Sequence, residues 1–256
     1  MIDKIIVTGG DGRFAQILKK KNKKLKLIFL SKKQLNILDV NSIEKAIKKY
    51  KPKRLIHCAG LSRPMEIHKS NISKSIDLNI IGTANITKIC EKYNVKLIYF
   101  STGYVYEGIK GNYKESDGVK PFNNYGLSKL GGECAVAMYK NSLILRISMT
   151  EKPFLHQKAY TNIKSNFFFH EDLVEILPKI LNQKGILNVG GKAQSIYSFA
   201  KKSNPLVKRI KSKKNKEMPF NQTMNINMLN KLIRNWWINI IVQLFFNISI
   251  KIWKSN

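Results

Sequence analysis

Short apolar runs separated by amphipathic stretches set the rhythm of this chain. Ile5-Ile6-Val7 is the first run, Leu25 to Leu30 the second, and Leu55-Ile56-His57-Cys58-Ala59-Gly60 the third with its small-residue exit. Lys96 to Phe100 and Ser142 to Ile147 read as a fourth and a fifth strand. Between them the spacing predicts helices over Arg13 to Lys20, Ile43 to Tyr50 and Ile76 to Tyr93, and one carrying Tyr125 through Met138. Asp39 or Asn41 can cap the second of these. Strands alternating with helices imply an α/β architecture, a doubly wound parallel sheet covered on both faces. Beyond Thr150 the pattern loosens into a helix over Glu171 to Leu181, a strand over Ile186 to Val189, and a short helix over Ser195 to Lys202. Lys208 to Lys216 reads as a solvated basic loop.

The first apolar run ends at Thr8-Gly9-Gly10-Asp11-Gly12, directly before a helix. Gly9, Gly12 and Ala15 fall at G-x-x-G-x-x-A. Glycines there allow a tight turn and close approach of a pyrophosphate, and the small Ala lets helix pack on strand. The helix N-terminus supplies amide donors for phosphate. This is the signature of a Rossmann-type sheet, whose ligands bind at the carboxyl ends of the strands. Ala59-Gly60 and Ser101-Thr102 lie at the same ends, so three signals converge on one crevice. Tyr125 and Lys129, four residues apart, project from one helix face. An ammonium beside a phenol favours the phenolate, which predicts a lowered Tyr125 pKa and a group able to donate and accept protons. After the second strand, Ser31-Lys32-Lys33 offers no carboxylate for a ribose 2′-hydroxyl. Lysines could instead meet a 2′-phosphate, which favours NADP(H) over NAD(H); two solvated lysines are the plain alternative.

Composition changes this picture little. With 256 residues, the chain suits one domain with a small appendage. We divide it into 1–150 for a dinucleotide, 151–233 as a small substrate-binding region interleaved with the core, and 234–256 as an apolar tail. The net charge of +30 invites a nucleic-acid reading. The lysines are spread along the whole chain among Ile and Asn, so they form no binding stripe, and no nucleic-acid partner is expected. Cys58, Cys90 and Cys134 have no Cys-x-x-Cys spacing and read as buried reduced thiols. The four histidines, His57, His68, His156 and His170, have no ligand spacing, so no metal is expected. A strand begins at Lys4 with no signal-peptide pattern before it, and a cytoplasmic protein is expected. In the tail, Asn239, Gln243, Asn247 and Lys251 would form one narrow polar stripe on a helix flanked by Trp236 and Trp253. Such a helix suits a membrane interface or a homodimer contact, and its polar content argues against spanning.

In this order the motifs resemble the extended short-chain dehydrogenase/reductase family, in its dTDP-4-dehydrorhamnose reductase-like, sugar-nucleotide-binding branch. The resemblance rests on Thr8-Gly9-Gly10-Asp11-Gly12-Arg13-Phe14-Ala15, on Leu38-Asp39-Val40, and on His57-Cys58-Ala59-Gly60, and runs to about Gly191. It also rests on Asn79 within Asn79-Ile80-Ile81-Gly82-Thr83, on Ser101-Thr102-Gly103-Tyr104-Val105-Tyr106, and on Tyr125 with Lys129. The resemblance implies cofactor contacts from Gly9, Gly12, Arg13, Phe14, Ala15, Lys32, Asp39, Val40, Ala59, Gly60, Leu61, Asn79, Tyr125 and Lys129. It implies catalysis by Thr102, Tyr125 and Lys129, and substrate contacts from Thr102, Gly103 and Arg146. The implied reaction is hydride transfer from NADPH to a 4-keto-6-deoxy nucleotide sugar. An epimerase on the same scaffold, or a non-catalytic cofactor-binding regulatory subunit like that of methionine adenosyltransferase, are the alternatives. Gly103 stands where those reductases carry Asp, and Gly103-Tyr104 cannot serve as the acidic pair of a dehydratase.

Overall fold

The computed structural model describes residues 3–213 and 219–238. Most of the apolar tail and part of the 208–216 run lie outside the described residues. Six parallel strands make the central sheet, in the order β10-β5-β4-β3-β1-β2. They are β1 (Lys4–Thr8), β2 (Lys26–Leu30), β3 (Arg54–His57), β4 (Lys96–Phe100), β5 (Ser142–Ile147) and β10 (Gly185–Val189). In β1 the period of two splits the apolar run between two layers. Ile5 and Val7 face one core cluster, and Ile6 faces the other. Burial on both faces is why the strand reads as a continuous apolar run rather than an alternating one.

On the Ile5 side lie α1 (Arg13–Lys21) and α7 (His170–Ile180), which pack through Phe14, Leu18, Leu173 and Leu177. On the Ile6 side lie α2 (Val40–Tyr50), α5 (Gly82–Lys92) and α6 (Asn124–Ala137). Asp39 caps α2 by accepting from the amides of Asn41 and Ser42. The helix expected over Ile76 to Tyr93 starts earlier, at Ile72, and runs without interruption to Lys92, with a change of winding inside it. Following α3 (Ile67–Ser70), α4 (Ile72–Ile76) runs into a π-helical turn at Asp77–Ile81 before α5 begins. Wide turns of this kind collect at functional sites, and this one holds Asn79 inward.

The chain beyond Thr150 is shared between the sheet and a small unit beside it. Its β10 extends the sheet next to β5. The small unit pairs β6 (Met149–Thr150) with β9 (Phe168–Phe169), β7 (Lys158–Tyr160) with β12 (Lys208–Ile210), and β8 (Lys164–Ser165) with β11 (Gln194–Ser195). With α8 (Ile196–Ala200), these close on a core of Phe154, Ile163, Phe169 and Phe199. The start of the run expected as a loop from Lys208 is therefore strand, because β7 offers it a partner edge. A helix over 227–238 seats Leu229 with Ile226 and Leu232 on the α1 and α7 layer. Its Trp236 receives the ammonium groups of Lys24 and Lys179. Among the described residues, no helix is long and apolar enough to cross a membrane.

Candidate active site

The strand order reverses at β1, which sends β2 to one side and β3 to the other. Ligands of open α/β sheets sit in the crevice this leaves at the carboxyl ends. Gly9 turns there with φ of +64°, and a Cβ on it would lie 2.8 Å from Ala59 Cα. The Gly12 amide donates to the Gly9 carbonyl at 2.8 Å. Gly12 is also the N-cap of α1 and brings no side-chain acceptor, so the amides of the first turn face the crevice without one. A glycine turn against β3 and an uncapped helix start suit the pyrophosphate of a dinucleotide, which Gly9, Gly12, Arg13, Phe14 and Ala15 would hold.

Asn123 caps α6 by accepting from the Gly126 amide at 2.8 Å, and this sets the first turn of the helix that carries Tyr125 and Lys129. Tyr125 and Thr102, the latter delivered by the end of β4, line the same cavity wall. Burial raises the Tyr125 pKa, while Thr102, Arg63 and Arg13 pull it down less. The lowered value expected from the sequence is thus reversed, because desolvation outweighs the neighbouring charges. Burial also pushes Lys129 down to about 7, partly opposed by Cys58 and Glu133. Its ammonium lies 4.2 Å from the centre of the Tyr99 ring. His57 is a core residue, between Thr8 Oγ1 at 2.8 Å and Thr83 Oγ1 at 3.2 Å, and burial holds its pKa near about 3.

Asn79 acts through other residues. Its Oδ1 accepts from the Leu61 amide at 2.7 Å, and its Nδ2 donates to the Leu61 carbonyl and to Ser128 Oγ, each at 2.8 Å. The π-helical turn therefore ties the loop after β3 to α6. Ala59, Gly60 and Leu61 line the cavity, and Asn79 fixes Leu61 among them.

Two of the expected substrate contacts, Arg146 and Gly103, do not line the cavity. Arg146 shares the Ile144 face of β5, opposite Leu145, and so points at α6 rather than into the cavity. It is 3% exposed and pairs with Glu133, and it also donates to the Tyr106 hydroxyl at 2.8 Å. Glu133 in turn accepts from Ser101 Oγ at 2.6 Å. Gly103 is buried in a turn of 3-10 helix, where a Cβ would meet Ser148 Oγ at 3.0 Å and Met224 Sδ at 3.5 Å. An Asp there would need this wall to shift. Among the expected cofactor contacts, Asp39 has Oδ1 engaged in the α2 cap, and Val40 is exposed beside it. Lys32 is exposed in the turn after β2, next to the strand end whose Leu30 carbonyl accepts from Gly10. None of these three lines the cavity. Cys134 is exposed rather than buried, since it falls on the outer face of α6.

The cavity measures about 1660 Å³. That exceeds the roughly 300–1,000 Å³ of a single-ligand pocket and leaves room for a dinucleotide and a second ligand. Its far wall comes from residues 154–160 of the small unit, which carry no motif in the sequence. Arg63 and Glu151 were also missed. Their one sequence signal is position, each lying a few residues past the end of a strand, β3 or β5.

Fold, glycine turn and the Thr102, Tyr125, Lys129 set define an extended short-chain dehydrogenase/reductase. Residues 3–154 match the family described as the RmlD substrate binding domain, and the chain belongs to that family. Among curated relatives, methionine adenosyltransferase 2 subunit beta of Xenopus laevis is 35% identical over 114 residues, which is 44% of this chain and 34% of that protein. A dTDP-4-dehydrorhamnose reductase of Aggregatibacter actinomycetemcomitans is 28% identical over 152 residues, 57% of this chain and 51% of that one. The matches thus span a third to a half of these relatives. Among solved structures, the dTDP-4-dehydrorhamnose reductase of Bacillus anthracis in complex with NADP superposes with a TM-score of 0.79. It is 22% identical and covers 90% of this chain and 91% of that one. The UDP-glucose 4-epimerase of Thermus thermophilus in complex with NAD gives 0.75, at 16% identity and with 91% and 93% covered. At these identities the structural likeness carries the fold.

Proposed function

We propose that the chain is an NADP(H)-dependent reductase of a 4-keto-6-deoxy nucleotide sugar. The observation that carries this reading is that Thr102, Tyr125 and Lys129, the last two one helical turn apart, line the same cavity as the glycine turn, with room for two ligands. When bound, the reduced nicotinamide supplies the hydride that adds to the keto carbon. Tyr125 gives its proton to the carbonyl oxygen as the C=O bond becomes an alcohol. A phenol whose pKa burial has raised is protonated at neutral pH, which is the form a reduction requires. Thr102 donates to the same oxygen, and the Lys129 ammonium stabilises the phenolate left behind until solvent returns the proton. Residues 151–233 would hold the nucleotide end of the substrate.

The test is consumption of NADPH, followed by nicotinamide absorbance, against a panel of 4-keto nucleotide sugars. Sustained consumption that disappears in Tyr125→Phe, with NADPH affinity retained, is the expected result. Turnover that survives that change overturns the catalytic assignment. Interconversion of sugars without net NADPH loss would mark an epimerase. A second reading, a cofactor-binding regulatory subunit, draws on the 35% identity to methionine adenosyltransferase 2 subunit beta. NADPH binding with silence across the whole panel is its expected signature.

A further inference from the structure

Arg13 begins α1, directly after the uncapped Gly12, and Arg63 comes from the loop after β3 on the opposite bank of the crevice. Between them stands Glu151, from the segment after β5. Its Oε1 accepts from Arg13 Nη1 at 3.0 Å, and its two oxygens accept from Arg63 Nη1 at 3.2 and 3.1 Å. Thr150 Oγ1 donates to Oε2 at 3.1 Å, and Arg13 also reaches Ser62 Oγ at 3.4 Å. All three charged residues line the cavity. The guanidinium groups are open, with side chains 50% and 37% exposed, whereas the Glu151 side chain is covered at 16%.

Two guanidinium groups sharing one carboxylate carry a surplus positive charge. Each also keeps N–H donors that Glu151 does not fill. A carboxylate offers two oxygens and one negative charge. A diphosphate offers more of both, and an Arg fork binds phosphate oxygens in pairs. The neighbouring amides of α1 add donors on the same side.

We propose that Arg13, Arg63 and Glu151 form an exchange clasp, in which the diphosphate of an entering ligand displaces Glu151 and takes both arginines. Glu151 keeps the two banks paired without a ligand and competes with it on binding. Both the dinucleotide and the nucleotide sugar carry this diphosphate. The inference rests on the proposed function only for these two ligand classes, and needs no hydride transfer.

The test is calorimetric titration of the full chain with inorganic pyrophosphate, NADPH and thymidine diphosphate. It compares wild type, Glu151→Gln, Arg63→Gln and the double variant. Glu151→Gln should bind pyrophosphate about fivefold tighter, the scale of losing one partly exposed ion pair. Arg63→Gln should bind it about tenfold weaker, and the gain from Glu151→Gln should vanish in the double variant. Glu151→Ala gives a second measure of the gain that does not depend on the amide. A gain shared with NADPH alone assigns the clasp to the cofactor, and one shared with thymidine diphosphate alone assigns it to the substrate. Unchanged or weaker pyrophosphate binding in Glu151→Gln and Glu151→Ala, or a gain that survives Arg63→Gln, overturns the proposal. A silent reductase assay leaves these results standing.

Discussion

Replacing Lys129 with Met removes an ammonium that burial holds at about 7, against an ordinary value of 10.5. Between those values the unfolded chain carries the proton and the folded chain does not. Raising the pH through this window therefore favours the folded wild type, and the contribution is complete above the unfolded value and lost as the pH falls to about 7. One pKa unit corresponds to ~1.4 kcal/mol, so going from about pH 7 to about pH 9 should stabilise wild type relative to Lys129→Met by roughly 2–3 kcal/mol. For a chain of this size that is a relative rise in Tm of roughly 5–10 °C. Near pH 7 the variant should be the more stable of the two, because the buried charge is gone. The assay is thermal unfolding of both proteins, free of ligand, across this pH range. Groups common to both cancel in the difference. A Tm difference that stays flat with pH would refute the burial argument for Lys129.

Arg146→Met alone should cost about 3–5 kcal/mol in denaturant unfolding, because it leaves Glu133 charged and buried, and adding Glu133→Leu should recover most of that loss. Recovery of nothing would show that the pair is not a self-contained unit. Asn79→Ala strips the Leu61 amide and carbonyl of their partner, so it should cost about 1–3 kcal/mol and weaken NADPH binding. Lost stability with full NADPH affinity would dissociate the π-helical turn from the cofactor wall. Lys32→Ala with Lys33→Ala should narrow the preference for NADPH over NADH in equilibrium binding, and an unchanged ratio would mark both lysines as solvated.

Where chemistry follows from neighbours in sequence, the chain was legible. The glycine turn, the Asp39 cap and the Tyr125 and Lys129 face are local, because a few residues set the backbone and the side chains follow it. The π-helical turn at Asp77–Ile81 was not legible. Residues 76–93 have good helical character, and the wide turn places Asn79 between Leu61 and Ser128, two positions remote in sequence.

Periodicity and the turn motifs by themselves determined a parallel α/β sheet, the crevice at the ends of its strands, and the residues that enter it from β1, β4 and α6. Those follow from strand period, helix period and turn chemistry, which act over a few residues. Only the tertiary structure decided the electrostatics. Burial raised Tyr125 where a neighbouring ammonium was expected to lower it, Arg146 turned away from the cavity to pair with Glu133, and the fold brought Arg13 at the start of α1, Arg63 and Glu151 to one point. Desolvation and charge pairing depend on everything that surrounds a group in space, and most of those surroundings are far away along the chain.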